Sequence, residues 1–213
     1  MKLNCLSCII LLAVVLGSNL CVAQFNKDLK DITEKDVIEA LQFAGIDIFK
    51  FPVNSFDKNL RFYVVADEYT QSGGLKRVDT LLTFDTEYHE YSADQHQVTK
   101  HIDSFRFLTK VLNNSYDNVY LYVSANNVSA WRELHVAKEF NRKHYWVRFA
   151  QQETEIGKTI PLLFFGSEWD DVIDGRKVTR FCSHNELKPE LSDPTIKYIP
   201  HYFLISYWFE ERL

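Results

Sequence analysis

Apolar side chains recur at two different periods along this chain, and the change falls at Gly45. Ahead of it, Val37, Ile38, Leu41 and Ala44 repeat at helical spacing. Thr33 is placed to cap their first turn, Asp36 follows three residues on as a short capping-box acid, and Ile32 can close over Val37 as a staple. The pattern predicts one short amphipathic helix over Glu34–Ala44, ended by Gly45 in the left-handed conformation.

Beyond Gly45 the period is two, which predicts strands. They run over Ile46–Phe51, stopped by Pro52, and over Leu60–Tyr69 and Leu75–Tyr88, joined through Ser72-Gly73-Gly74 as a hairpin. Val119, Leu121, Val123 and Ala125 share one face of a further strand while Tyr120, Tyr122 and Ser124 share the other, up to the turn-forming pair Asn126-Asn127. His144–Ala150, Ile160–Phe165 and Val178–Cys182 continue the series, with Asp174-Gly175 as a second hairpin turn before the last of them. Over Val98–Leu112 a helix through Ile102, Phe105, Leu108 and Leu112 fits about as well as a strand, and the β neighbours decide for strand. Tyr202–Phe209 is apolar at both parities, which predicts a central strand covered on both faces. Roughly nine strands, one early helix and no alternation of helix with strand predict a mainly β fold, an antiparallel β-sandwich or flattened barrel.

The first 23 residues stand apart. Lys2 precedes an apolar run of 8 residues, Ile9 to Leu16, then Gly17-Ser18-Asn19 and a small-residue site, Cys21-Val22-Ala23. The run is too short to span a bilayer, which takes about 20 residues. The segment therefore reads as a signal peptide, residues 1–23, cut before Gln24, with residues 24–213 as a single β-rich domain and no membrane span after cleavage. A lipoprotein anchored at Cys21 fits less well, because Leu20 occupies the position where a small residue is wanted. Cleavage would remove three of the 4 Cys and leave Cys182 alone, so the exported chain would fold without an internal disulfide.

Composition narrows the partners. The chain is 46% hydrophobic and 15% aromatic, with 7 Gly and 5 Pro among 213 residues, which excludes disorder and low complexity. A net charge of −5, one unit more negative without Lys2, argues against nucleic acid, whose recognition needs clustered Lys and Arg. The sequons Asn113-Asn114-Ser115 and Asn127-Val128-Ser129 are short enough to arise by chance, and the first is also a candidate joint between two halves.

Aromatic rings are the most abundant binding material: Trp131, Trp146, Trp169, Tyr120 and Tyr122 are the candidate ligand-binding residues. Flat rings with one polar edge suit sugar stacking or protein contact, although a sandwich also covers its core with such rings. Glu168, Asp170, Asp171 and Asp174 concentrate four carboxylates in one turn and suggest an irregular calcium loop, with an acidic hairpin turning at Asp174-Gly175 as the plainer alternative. His89, His96 and His101, with Glu87, Glu90 and Asp94, offer zinc-type ligands in a polar stretch. Glu133, Glu168 and Asp170 each lie beside a tryptophan and could pair for glycoside hydrolysis. Cys182 has His184 two residues on, but nothing around it predicts an activated thiol. No phosphate-cradling glycine loop and no Gly-x-Ser-x-Gly occurs.

The signal-like start ending Val22-Ala23, the capped helix, and Phe62-Tyr63-Val64-Val65-Ala66-Asp67-Glu68-Tyr69 followed by Val78-Asp79-Thr80-Leu81-Leu82-Thr83-Phe84 make a layout that resembles small exported proteins of unknown function from gut-dwelling Gram-negative anaerobes. The resemblance implies a periplasmic or cell-surface location and carries over no functional residue. The expectation is an exported, non-catalytic binding module that presents aromatic and acidic side chains to a glycan or protein of the cell envelope. The alternatives are a carbohydrate-active hydrolase and a structural envelope component without a ligand. No cofactor is expected beyond the possible calcium.

Overall fold

The computed structural model describes residues 33–212 apart from 54, 55, 57, 72, 73, 113, 114, 127, 183, 185 and 193. The targeting segment, Ile32, the Ser72-Gly73 turn and the asparagines of the candidate joint and of the second sequon lie outside the described residues. The chain divides into two compact units, one ending at Ala44 and the other running from Gly45.

In the first unit, helix α1 (Glu34–Phe43) forms where the spacing predicts it. The Asp36 N–H donates to Thr33 Oγ1 at 3.3 Å and the Thr33 N–H donates to Asp36 Oδ2 at 2.7 Å, so both arms of the capping box are made.

The second unit begins at Gly45, whose φ of +73° is the left-handed conformation expected just after a helix, and holds fourteen strands among the described residues. One sheet has four, in the order β1 (Ile46–Pro52), β6 (Ser104–Leu112), β7 (Ser115–Ala125), β8 (Val128–His135). The other has six, in the order β13 (Glu186–Leu187), β9 (His144–Phe149), β10 (Ile160–Ser167), β14 (His201–Glu211), β2 (Leu60–Thr70), β3 (Gly74–Asp85). Two hairpins stand aside, β4 (Glu87–Tyr91) with β5 (Gln97–His101), and β11 (Trp169–Ile173) with β12 (Arg176–Arg180). Neither sheet closes, so the architecture is a β-sandwich and not a barrel. Among the described residues every strand pairing is antiparallel except β13 on β9.

The sheets meet through aromatic rings. Phe62 of β2 lies 5.2 Å from Phe105 of β6 and 5.0 Å from Phe209 of β14, and Phe105 lies 5.4 Å from Tyr207. Offset and edge contacts of this kind add about 0.5–1.5 kcal/mol per pair beyond the area they bury. β14 is the fourth of six strands and is buried at both parities, as its unbroken apolar run predicts.

Three departures from the sequence reading have local causes. The predicted strand Leu75–Tyr88 breaks at Thr86, which is buried at a corner: its Oγ1 accepts from the Leu60 N–H at 2.9 Å and its own N–H donates to the Leu60 carbonyl at 2.8 Å. Val98–Leu112 is extended, as favoured, but the buried Ile102 turns a corner between β5 and β6. β8 escapes the alternation test because Arg132 sits at the parity of the inward Ala130 and Leu134, while Trp131 stands at the other parity, exposed. Asp174-Gly175 makes its hairpin as expected, both residues at positive φ, the pairing that matches strand twist.

Candidate binding face

β7 alternates as its sequence predicts: Val119, Leu121 and Val123 are fully buried, which turns Tyr120 and Tyr122 outward. Strand register then carries the outward positions across the sheet. Tyr122 pairs with Trp131 on β8 and with Leu108 on β6, and Leu108 pairs with Ile48 on β1. The result is a row, Ile48–Leu108–Tyr122–Trp131, spanning all four strands. Its ends are open: Trp131 is 67% exposed and Ile48 52%. The Tyr122 and Trp131 rings lie 4.8 Å apart and are tilted by 47°, so they form a shallow angle and not one flat plane.

Polar rows flank the apolar one. Lys110, Tyr120 and Glu133 are register neighbours on one side. The Tyr120 phenol is held above its ordinary pKa, first by the negative charge of Glu133, and stays a neutral donor. On the other side Lys50, Arg106, Ser124 and Ser129 align, and Arg106 Nε donates to Ser124 Oγ at 2.9 Å.

Three of the five candidate aromatics therefore share one face, and two do not. Trp146 packs between the sheets, 4.2 Å from Phe165 and 6.0 Å from Phe49. Trp169 is 7% exposed in a second apolar cluster with Phe164, Cys182, Leu187, Ile196 and Leu204. These two rings serve as packing.

The four acidic candidates sit on or beside the β11–β12 hairpin, and cations occupy two of them. Asp170 receives Arg142 at 2.7 Å and Lys177 at 3.1 Å, which hold its carboxyl below the usual range, and Asp171 pairs with Arg180 at 3.1 Å. Glu168 links β10 to β11, and Asp174 is a turn residue. His89 and His101 lie on paired strands with Thr99 and Glu87 opposite them, while His96 falls in the turn between. Among the described residues no three His, Cys, Asp or Glu side chains are arranged to hold a metal ion. Glu133 is on the four-stranded sheet and Glu168 and Asp170 beside the other, so Glu133 faces neither of them. Cys182 Sγ does approach His184 Nδ1, at 3.7 Å, just past the end of β12.

One buried cluster went unnoticed in the sequence. At the end of the sandwich where β14 begins, His144 Nδ1 meets the Arg142 carbonyl at 2.7 Å, His144 Nε2 meets His201 Nδ1 at 3.1 Å, and His201 Nε2 meets Glu68 Oε1 at 3.0 Å. Lys76 donates to the same Glu68 oxygen from the rim, and Phe140 stacks on His201 at 4.9 Å. The carbonyl only accepts, so His144 Nδ1 carries a hydrogen. With both rings neutral, His201 must then donate through Nδ1, which leaves its bare Nε2 against a carboxylate. Closing every bond takes one further proton on the chain His144–His201–Glu68. Burial opposes charge on the rings: it brings His144 down to about 4 and lowers His201, against the pull of Glu68. The signal was parity. Glu68 follows Leu60, Phe62, Val64 and Ala66 at the inward positions of β2, and His201 precedes Phe203, Ile205 and Tyr207 at those of β14.

A family model described as "Domain of unknown function (DUF5041)" matches residues 22–211. No curated protein and no solved structure matches the chain. Among the described residues no helix is long and apolar enough to cross a membrane.

Proposed function

The chain belongs to the DUF5041 family, a domain of unknown function, and on that premise we propose that it is an exported, non-catalytic module that binds a glycan of the cell envelope on the outer face of its four-stranded sheet. The observation that carries this reading is the open Tyr122–Trp131 pair between two hydrogen-bonding rows. A sugar ring needs both: its C–H face stacks on an aromatic ring, and its hydroxyls need donors and acceptors at the edge. Glu133, Tyr120, Arg106 and Ser129 supply them. Glycoside hydrolysis needs two facing acids about 5–10 Å apart, and Glu133 has no such partner in the trio considered. Export rests on the signal-like first 23 residues.

A glycan array probed with the full chain tests the proposal. Retention on a defined set of sugars is expected, with Trp131→Ala weakening it by about tenfold or more, as for a central contact residue. An empty array, or a Trp131→Ala variant that binds as well as the parent, contradicts it. The half-exposed Ile48 beside Leu108 favours a second reading, a protein partner lying along the same row, for which an empty array is the expected result.

A further inference from the structure

The end of the sandwich remote from the histidines holds a cleft of about 120 Å³ to which both sheets contribute. β1 supplies Lys50, Phe51 and Pro52; β9 and the chain leaving it supply Arg148 through Gln152; β10 and β14 supply Ile160 through Leu162 and Tyr207; Glu186 of β13 closes the rim. β10 carries a register shift between Pro161 and Leu163, so Leu162 is the extra residue that the bulge leaves against the cleft. Bulges of this kind re-aim side chains beside binding sites.

The chemistry of the wall is asymmetric. Its body is apolar, and one side is cationic. Arg148 and Lys50 have no carboxylate partner among the described residues; the Arg148 guanidinium lies over the Phe51 ring at 5.9 Å. Glu186 pairs with Arg148 in strand register without an ion pair, so the lining carries one net positive charge. Gln152 also lines the cleft, and its Nε2 is buried with no hydrogen-bond partner among the described residues. Tyr207 asks for nothing, because its hydroxyl is already bonded to Thr154 Oγ1 at 2.8 Å.

We propose that this cleft binds a small organic monocarboxylate, with the acid group held by Arg148 and Lys50 and a hydrocarbon or aromatic body lying against Phe51, Ile160 and Leu162. A guanidinium fork matches a carboxylate in two parallel bonds, and a single negative charge balances the lining. The volume sets the body at about the size of benzene, which fills a cavity of roughly 150 Å³. Inorganic phosphate has the charge but leaves the apolar wall uncovered.

Titration calorimetry of the full chain with benzoate, hexanoate, benzamide and inorganic phosphate tests the assignment. Benzoate or hexanoate should bind at sub-millimolar to millimolar concentration, with benzamide and phosphate weaker by about tenfold or more, because each lacks one half of the match. Arg148→Gln should weaken the carboxylate by roughly tenfold to a hundredfold, the worth of a charge-assisted bond, and Lys50→Gln should weaken it less while leaving the fold intact. Circular dichroism melts confirm that both variants fold. Absence of carboxylate binding, equal binding of benzamide, preference for phosphate, or indifference to both substitutions overturns the proposal.

Discussion

The two outer faces of the sandwich have similar raw material and opposite treatment. On the six-stranded sheet, Phe164 and Tyr202 stack at 5.0 Å, and the chain between β10 and β14 returns over them with Trp169, Cys182, Leu187, Ile196 and Ile199. On the four-stranded sheet, Tyr122 and Trp131 stand at 4.8 Å with Trp131 in solvent. An aromatic pair on a strand is thus not a site in itself. What distinguishes the second face is that Lys110, Tyr120 and Glu133 on one side and Lys50, Arg106 and Ser129 on the other remain beside the rings where a ligand can reach them, with Ser124 buried in the second row.

Substitutions can break this contrast at either end. Trp169→Ala removes a buried ring from the roofed face and should cost about 3–5 kcal/mol of unfolding free energy, whereas exposed surface changes such as Trp131→Ala usually stay within about 0.5 kcal/mol. Denaturant melts of the two variants measure both. Equal losses would mean that Trp131 is a packing residue after all.

Acid should act on the buried polar end of the core and leave the bare face alone. His144 has a folded pKa of about 4, below its ordinary value of about 6.5, so below the higher value the unfolded chain takes up a proton that the folded chain refuses. Stability is therefore intact above pH ~6.5, falls as the pH drops, and levels off below ~4, for a total of about 3 kcal/mol. The groups facing the pair, Glu68, Lys76 and Glu139, modulate this step through His201. Melts across that range should show the slope in the parent and a flatter curve in His144→Gln.

A smaller effect sharpens the roofed side. A Cβ on Gly166 would lie 2.2 Å from the Phe164 ring, which rests directly on that glycine. Gly166→Ala should displace the ring from Tyr202 and cost about 1–3 kcal/mol, read from the same melts. The mildest outcome belongs to the bare face: Tyr122→Leu should leave the melting curve within about 0.5 kcal/mol of the parent while weakening sugar retention.

Much of this was legible in the sequence, and the rest failed for identifiable reasons. Alternation in β7 placed Tyr120 and Tyr122 outward before any coordinates, and the unbroken apolar run of β14 placed it at the centre of its sheet. Sequence spacing could not separate Trp131 from Trp146 and Trp169, because the packing of Trp146 between the sheets and of Trp169 in the cluster with Leu187 and Ile196 are long-range events with no local signature. The β3–β4 corner was missed because Thr86, a residue that reads as ordinary strand, is the buried anchor of the turn. The histidine cluster was visible only by extending inward parity to polar residues, which apolar counting ignores.

The proposed binding face is tested most directly by following the four indole N–H signals by NMR as a retained saccharide is added. The Trp131 signal should move in a saturable way while those of Trp146 and Trp169 stay in place. A Trp131 signal that stays still while saccharide binds would contradict the assignment of this face.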